Sequence, residues 1–362
     1  MTLARSAEQE QFAAALHDLL TDGATAAAGG GPGGGVPGPG GDGTLRAARR
    51  WAAGDRSAGL ALWRKLAAAG VTSLAVPERR GGLGASPLDL MVACEELGHH
   101  ALPGPVAESL AAVPRLLAAL DEQGLGDDGR PARWLAGLAA GDLIATLALP
   151  PRLPYAADAD ATGLVLLVED DAVWLAAPGA RHQSVDQARR LSEACGRQVL
   201  ARGPAVAAAA RHAFDLGALA CAAQLLGAGR ALLAASVRHA RQRVQFGRAI
   251  GSFQAVKHQL ADVAIGLEFA RPLLDAAALA LADRGPCAAR DVSAAKIACA
   301  GAAHRAARTA LQVHGAIGYT QEHDLGLWLT KVRALIPAWG TQAEHRARVM
   351  AALATDGGPP WS

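Results

Sequence analysis

The run Arg243-Val-Gln-Phe-Gly-Arg-Ala-Ile-Gly-Ser-Phe-Gln254 gathers a guanidinium, an aromatic ring, two glycines and an amide into twelve residues. A guanidinium can grip a pyrophosphate through two parallel N–H bonds, and an aromatic face can carry a flat heteroaromatic ring. The same pieces also make an ordinary helix-joining loop with a solvated arginine, so the run by itself leaves both readings open. A second run, Gln312-Val-His-Gly-Ala-Ile-Gly-Tyr-Thr-Gln-Glu-His323, joins two further helical stretches, and Trp339-Gly-Thr341 follows it. Other chemistries are missing. No Walker loop or G-x-G-x-x-G opens a strand–helix unit, no H-E-x-x-H or G-x-S-x-G occurs, and the glycine-rich GGGPGGG holds proline and lacks a flanking strand. Cys94, Cys195, Cys221, Cys287 and Cys299 are far apart without a C-x-x-C pair, which suggests neither zinc nor a disulfide framework and fits a reducing cytoplasm.

The elements that must position these runs are mostly helical. Residues 6–22 read as an amphipathic helix with Phe12, Leu16, Leu19 and Leu20 on one stripe. Gly29 to Gly43 is low-complexity Gly/Pro sequence that cannot bury enough apolar area to offset its ordering entropy, and is expected to be a mobile loop. Helical patterning resumes from Thr44 to about Ala140. Short apolar runs at 143–149, 163–169 and 171–177, set between Pro, Gly and Asp, read as three strands. Four long helices are then expected, at 208–240, 252–283, 290–314 and 322–355, with Pro272 kinking the second. In that helix Phe253, Val256, Leu260, Val263 and Leu267 step by three and four along one face, the pattern of core packing. The expected fold is mainly α: an N-terminal helical domain over 1–140, a reduced β middle domain over 141–204 and a C-terminal four-helix bundle over 205–362.

Composition narrows the partners. With 35 basic against 33 acidic residues and a net charge of +2, the chain lacks the basic excess of a nucleic-acid binder. The N-terminus has no signal-peptide core, and no stretch of 18 residues reads as a convincing membrane span, so neither nucleic acid nor membrane is an expected partner and a cytoplasmic location is expected.

The chain resembles the acyl-CoA dehydrogenase family in three ordered segments: ALWRKLAAAGVTSLAVPERRGGLGASPLDLMVACEELG, RQRVQFGRAIGSFQAVKHQLADV and ALQVHGAIGYTQEHDLGLWLTKVRALIPAWGT. The resemblance implies FAD as cofactor and α,β-desaturation of an acyl-CoA or acyl-carrier-protein thioester, with an electron-transfer acceptor possible. It implies that Arg243 and Phe246 hold the FAD pyrophosphate and adenosine across a subunit interface, with Gln254 close behind. Gln312 and Gly315 match a loop that approaches the adenine half, and Gly340 with Thr341 match the turn near the isoalloxazine. Contacts from two chains imply a homo- or hetero-oligomer.

The family's base is not where it should be. Thioester α-protons are weakly acidic, so a positioned carboxylate of raised pKa is needed. In the family it directly precedes Gly-Thr, where this chain has Trp339. The alternative family positions fall near Gly217 and Gln224, neither of which is a base. Glu322, Asp324 and Glu344 remain, and Glu322 is a weak candidate because a carboxylate at a helix start usually caps it. The Thr-Glu-Pro signature that meets the flavin is replaced by Leu147-Ala-Leu-Pro150. These departures resemble the heterotetrameric acyl-CoA dehydrogenases of actinobacterial steroid side-chain degradation, in which a second, dissimilar subunit brings the base. A flavin monooxygenase on the same fold and a non-catalytic pseudoenzyme stay open as alternatives.

Overall fold

The computed structural model describes residues 5–22, 42–126, 129–320 and 323–355. The first helical region comprises α1 (Ala7–Asp22), α2 (Asp42–Ala53), α3 (Ser57–Ala68), α4 (Pro87–His99), α5 (Val113–Glu122) and α6 (Arg130–Ala140). The start of α4 follows from its sequence. Ser86 accepts from the Asp89 amide while Asp89 accepts from the Ser86 amide, and Pro87 supplies a preset first turn. Of the segment 29–43, Asp42 and Gly43 belong to α2, and the remainder lies outside the described residues.

Next come β1 (Ala145–Ala148), β2 (Ala156–Ala157), β3 (Leu164–Glu169), β4 (Ala172–His182) and β5 (Leu191–Arg202), which form a sheet in the order β1-β3-β4-β5-β2. Five strands stand where the apolar runs predict three. The outer half of β4 and most of β5 face solvent on both sides and carry Pro178, Gly179 and Gly196, so hydrophobic alternation is faint there. Register shifts at Val173/Trp174, Leu175/Ala176 and Pro178/Arg181 blur it further.

The remainder is α7 (Pro204–Gln242), the hairpin β6 (Val244–Gln245) and β7 (Arg248–Ala249), α8 (Gln254–Ala282), α9 (Ala288–His314), α10 (Leu325–Leu335) and α11 (Gln342–Thr355). The expected last helix is two helices. Trp339 at φ 59° and Gly340 at φ 93° are left-handed and cannot continue an α-helix. Two buried groups fix this break: Lys296 Nζ donates to the carbonyls of Leu335 and Ile336, and His345 Nε2 donates to that of Trp339 at 2.9 Å.

α7 is the beam of the molecule. It is long and apolar enough to cross a membrane, contrary to the sequence expectation, but 78% of its most apolar window is buried inside the fold. It meets α4 almost backbone to backbone. A Cβ at Gly227 would lie 1.8 Å from the Glu95 carbonyl oxygen, and one at Gly98 would lie 2.2 Å from that of Gln224. One contiguous apolar core runs from α1 through the sheet into α10 and the Trp339 turn. On α8, Val263 and Leu267 of the predicted stripe are buried, whereas Phe253, Val256 and Leu260 are only half-buried.

Candidate functional site

The Arg243 run forms the tight hairpin that ends α7. Phe246 at φ 50° and Gly247 at φ 76° are its two central residues, a pair of left-handed positions that twists with the flanking strands. Holding a phenylalanine in that region is costly, and the ring gains nothing in return from the core, because Phe246 is 92% exposed. Its only ring neighbour among the described residues is Phe253, edge-on at 6.3 Å, which in turn carries Arg248 over its face at 4.1 Å. Arg243 and Gln254 are exposed beside it. No carboxylate among the described residues pairs with the Arg243 guanidinium, so a cation and an aromatic face are held outward together.

Gln312 and Gly315 lie at the same end of the bundle. His314 stacks on His239 of α7 at 4.3 Å, which brings the end of α9 beside the end of α7; Gln312 is exposed and Gly315 takes φ 62°. Gly340 and Thr341 lie elsewhere. Their turn packs against the opening turns of α7, where a Cβ on Gly217 would fall 2.3 Å from the Trp339 indole. From Gly217 to the end of α7 at Arg243 is 26 residues, about 39 Å of helix. The structure therefore brings five of the seven predicted cofactor residues to one end and two to the other, farther apart than one dinucleotide extends.

Trp339 is 1% exposed, beside Phe214 at 6.0 Å. Its indole N–H is buried without a well-formed hydrogen bond, facing the Glu108 carboxyl. Glu108, a residue that sequence reading did not single out, opens a π-helical turn at 108–112. Burial raises its pKa against the opposing pull of Arg189, whose guanidinium is 3.9 Å away. It does not line the cavity described next.

That cavity, about 860 Å³, opens between the loop before α4, α5, the Arg152 loop, the first turns of α7 and the α8–α9 junction. Its lining is strongly basic, with Arg115, Arg152, Arg211, Arg284 and Arg348 against the carboxylates Glu122 and Asp215. Arg152 and Arg348 sit over the Phe214 ring at 5.2 and 5.3 Å. Arg348 also binds Asp215 at 2.6 Å. Burial, reinforced by repulsion from Arg284, lowers the pKa of Arg115, and burial together with Arg115 lowers that of His212. An anion in the cavity would relieve that crowding. Sequence reading could not assemble this group, because its members come from separate elements.

The remaining candidate bases do not reach it. Glu344 caps α11, accepting from the Thr341 amide at 2.7 Å and its hydroxyl at 2.8 Å. Burial works to raise its pKa, but these two bonds outweigh burial and hold the carboxyl below its ordinary range. Asp324 is paired with Arg49 at 2.8 Å. Glu322 lies outside the described residues. Gln224 is buried, its amide reaching back to the Ala220 carbonyl.

Comparison with known proteins agrees with this architecture. The profile described as acyl-CoA dehydrogenase, N-terminal domain, matches residues 44–142, and that of the C-terminal domain matches residues 207–354. Acyl-CoA dehydrogenase IpdE2 of Mycobacterium tuberculosis is 32% identical over 290 residues, covering 79% of this chain and 84% of that protein. Among solved structures, butyryl-CoA dehydrogenase from Megasphaera elsdenii has the same fold with a TM-score of 0.79 at 20% identity, over 98% of this chain and 100% of that one. A chain of the ChsE4-ChsE5 complex from Mycobacterium tuberculosis aligns with a TM-score of 0.77 at 23% identity, over 99% and 100%. With both end domains matched and the arrangement of helices, sheet and helices shared, the chain belongs to the acyl-CoA dehydrogenase family of flavoprotein oxidoreductases.

Proposed function

We propose that the chain is one of two unlike subunits of an acyl-CoA dehydrogenase: its Arg243 loop holds the nucleotide end of an FAD, and the partner subunit brings the carboxylate that removes the α-proton of an acyl thioester. Trp339 carries this reading. The position that holds the base in the family is an indole packed on Gly217, near which one of the family's two alternative base positions falls, and the cavity beside it offers only Asp215, tied to Arg348, and Glu122. FAD, when bound, supplies the acceptor for the hydride that leaves Cβ.

The residues of this chain fit the nucleotide end of that cofactor. Arg243 offers two parallel donors to a pyrophosphate, Phe246 offers a bare ring face, and Gln254, Gln312 and Gly315 stand at the same end. The distance from there to Gly340 and Thr341 supports a reading in which the two groups serve different cofactor molecules, as an interface between subunits would require. A surface for that interface is present on α8, where Ile265, Phe269 and Leu273 repeat every four residues at 52%, 75% and 45% exposure. The basic cavity suits the anionic carrier of a CoA or phosphopantetheine thioester. Five free cysteines fit a reducing cytoplasm.

The reading is tested by purifying the chain alone and together with a co-expressed second acyl-CoA dehydrogenase subunit, loading both with FAD, and adding acyl-CoA without oxygen. Flavin bleaching is expected only in the two-subunit preparation. Bleaching by the chain alone, at a comparable rate, would overturn it and place a working base in this subunit.

A further inference from the structure

α1 meets the end of α4 through three imidazoles. His17 projects from α1, His99 is the last residue of α4, and His100 follows as its C-cap. Their ring centroids lie 4.7 to 5.3 Å apart, and one nitrogen from each falls within 4.8 Å of the other two. A carboxylate joins them. Nδ1 of His17 is 3.1 Å from Nε2 of His100 and 3.2 Å from Oε2 of Glu96. The other Glu96 oxygen accepts from Arg230 at 2.8 Å, which fixes the direction of the carboxylate, and Arg230 is itself neutralised by Glu95.

These contacts pose a bonding problem for the protein alone. An imidazole nitrogen carries either a hydrogen or a lone pair. With a hydrogen, Nδ1 of His17 can point squarely at only one of its two neighbours. With a lone pair, it can accept from His100 but then faces the carboxylate lone pair against lone pair. A cation seated among the three imidazoles would take a lone pair from each of them. In a tetrahedral zinc site with bonds of about 2.0–2.1 Å, neighbouring ligand atoms are separated by roughly 3.3 Å. One edge of such a tetrahedron, between His17 and His100 at 3.1 Å, is already in place, and His99 offers a nitrogen within 4.8 Å of the ligand atoms of the other two rings.

We propose that His17, His99 and His100, with the Glu96 carboxylate beside His17, form a binding site for a divalent transition ion of the zinc class, which clasps α1 to the end of α4. His99 and His100 are buried while the His17 side chain is 41% exposed, so the ion has a protected seat and an entrance from solvent. A donor set of three imidazoles is of the kind that zinc and cobalt favour over magnesium or calcium. The Arg230 contact to Glu96 is the outer support that such sites commonly have.

The test is a titration of the tag-free, full-length protein with Co²⁺, followed by visible absorption and then by displacement with Zn²⁺. One ion per chain with the intense ligand-field bands of tetrahedral cobalt is expected, together with a higher melting temperature in zinc. His17→Ala should weaken binding by more than about a hundredfold, beyond what loss of an outer-shell partner costs, while leaving the metal-free melting temperature near that of the parent. His323→Ala, which alters the separate His239–His314–His323 group, should bind like the parent. Absence of stoichiometric binding, octahedral cobalt spectra, or equal binding by parent and His17→Ala would each overturn the proposal.

Discussion

Replacement of Arg243 by alanine in the assembled oligomer isolates the contribution of the hairpin to cofactor binding. The hairpin lies outside the core: Arg243 is exposed and Phe246 is 92% exposed, so truncating either removes no packing within the chain and should change stability by less than about 0.5 kcal/mol. What is lost is a hydrogen bond to a charged group, with a net contribution of about 1.5–3 kcal/mol. At about 1.4 kcal/mol per factor of ten, a loss of about 2 kcal/mol raises the FAD dissociation constant roughly thirtyfold. Phe246→Ala removes only a ring-stacking contribution of about 0.5–1.5 kcal/mol, a factor of roughly two to twelve. The assay is fluorescence titration of the flavin-stripped oligomer with FAD, accompanied by sedimentation to show that the subunits remain associated and by thermal melts of the single chain. An Arg243→Ala oligomer that stays assembled and binds FAD as tightly as the parent refutes the assignment of the loop.

Three further outcomes follow from the packing. Gly227→Ala should destabilise the chain by at least about 1–3 kcal/mol, because its Cβ would meet the Glu95 carbonyl oxygen at 1.8 Å and α4 would have to move; denaturant melts measure this. Trp339→Ala should cost about 3–5 kcal/mol by emptying a buried indole volume, and a loss below 1 kcal/mol in the same melts would show that the turn collapses freely. Glu95 sets an acid limit: burial works to raise its pKa, but Arg230, Arg271 and Arg5 outweigh it and pull the carboxyl down to about 2. A folded-state value below the unfolded one means stabilisation that is complete above about pH 4.5 and is lost as the pH falls towards 2, in all about 3 kcal/mol. Stability curves between pH 2 and 6 should show this slope in the parent and lack it in Glu95→Gln, which should already be less stable at pH 6 because three arginines then face an uncharged amide.

The long helices were legible in the sequence because apolar residues recur over many turns, whereas the Arg243 run alone left two readings open and took its cofactor role from the family resemblance. What was hidden had physical causes. The Trp339 break lies between two stretches that are each helical in pattern, and it depends on Lys296 and His345, which reach the turn from distant positions. The outer half of the β4–β5 hairpin buries neither face, so no alternation marks it. The basic cavity is assembled from arginines more than 190 residues apart in sequence, such as Arg152 and Arg348, and each of them alone reads as a solvated surface charge.

On the proposed reading, the missing carboxylate and the presence of the indole are a single structural fact. Trp339 rests on Gly217 so closely that any side chain at 217 would occupy the ring; the resemblance puts the family's carboxylate at 339, near Gly217 or near Gln224. A glutamate cannot be restored at 217 while the indole remains, since its Cβ would already lie 2.3 Å from a ring carbon. A glutamate at 339 would in turn be smaller than the volume it enters, and would be buried beside Phe214 and near the Glu108 carboxyl, where a second negative charge is disfavoured. One packing pair thus closes two of these three positions to a carboxylate, and at the third Gln224 carries an amide. The Arg243 hairpin, about 39 Å away on the same helix, is untouched by that pair and keeps its outward cation and ring. On the proposed reading, a buried helix with a packed indole at one end and an outward cation and ring at the other is the form expected of a subunit whose contribution is to a neighbour's cofactor.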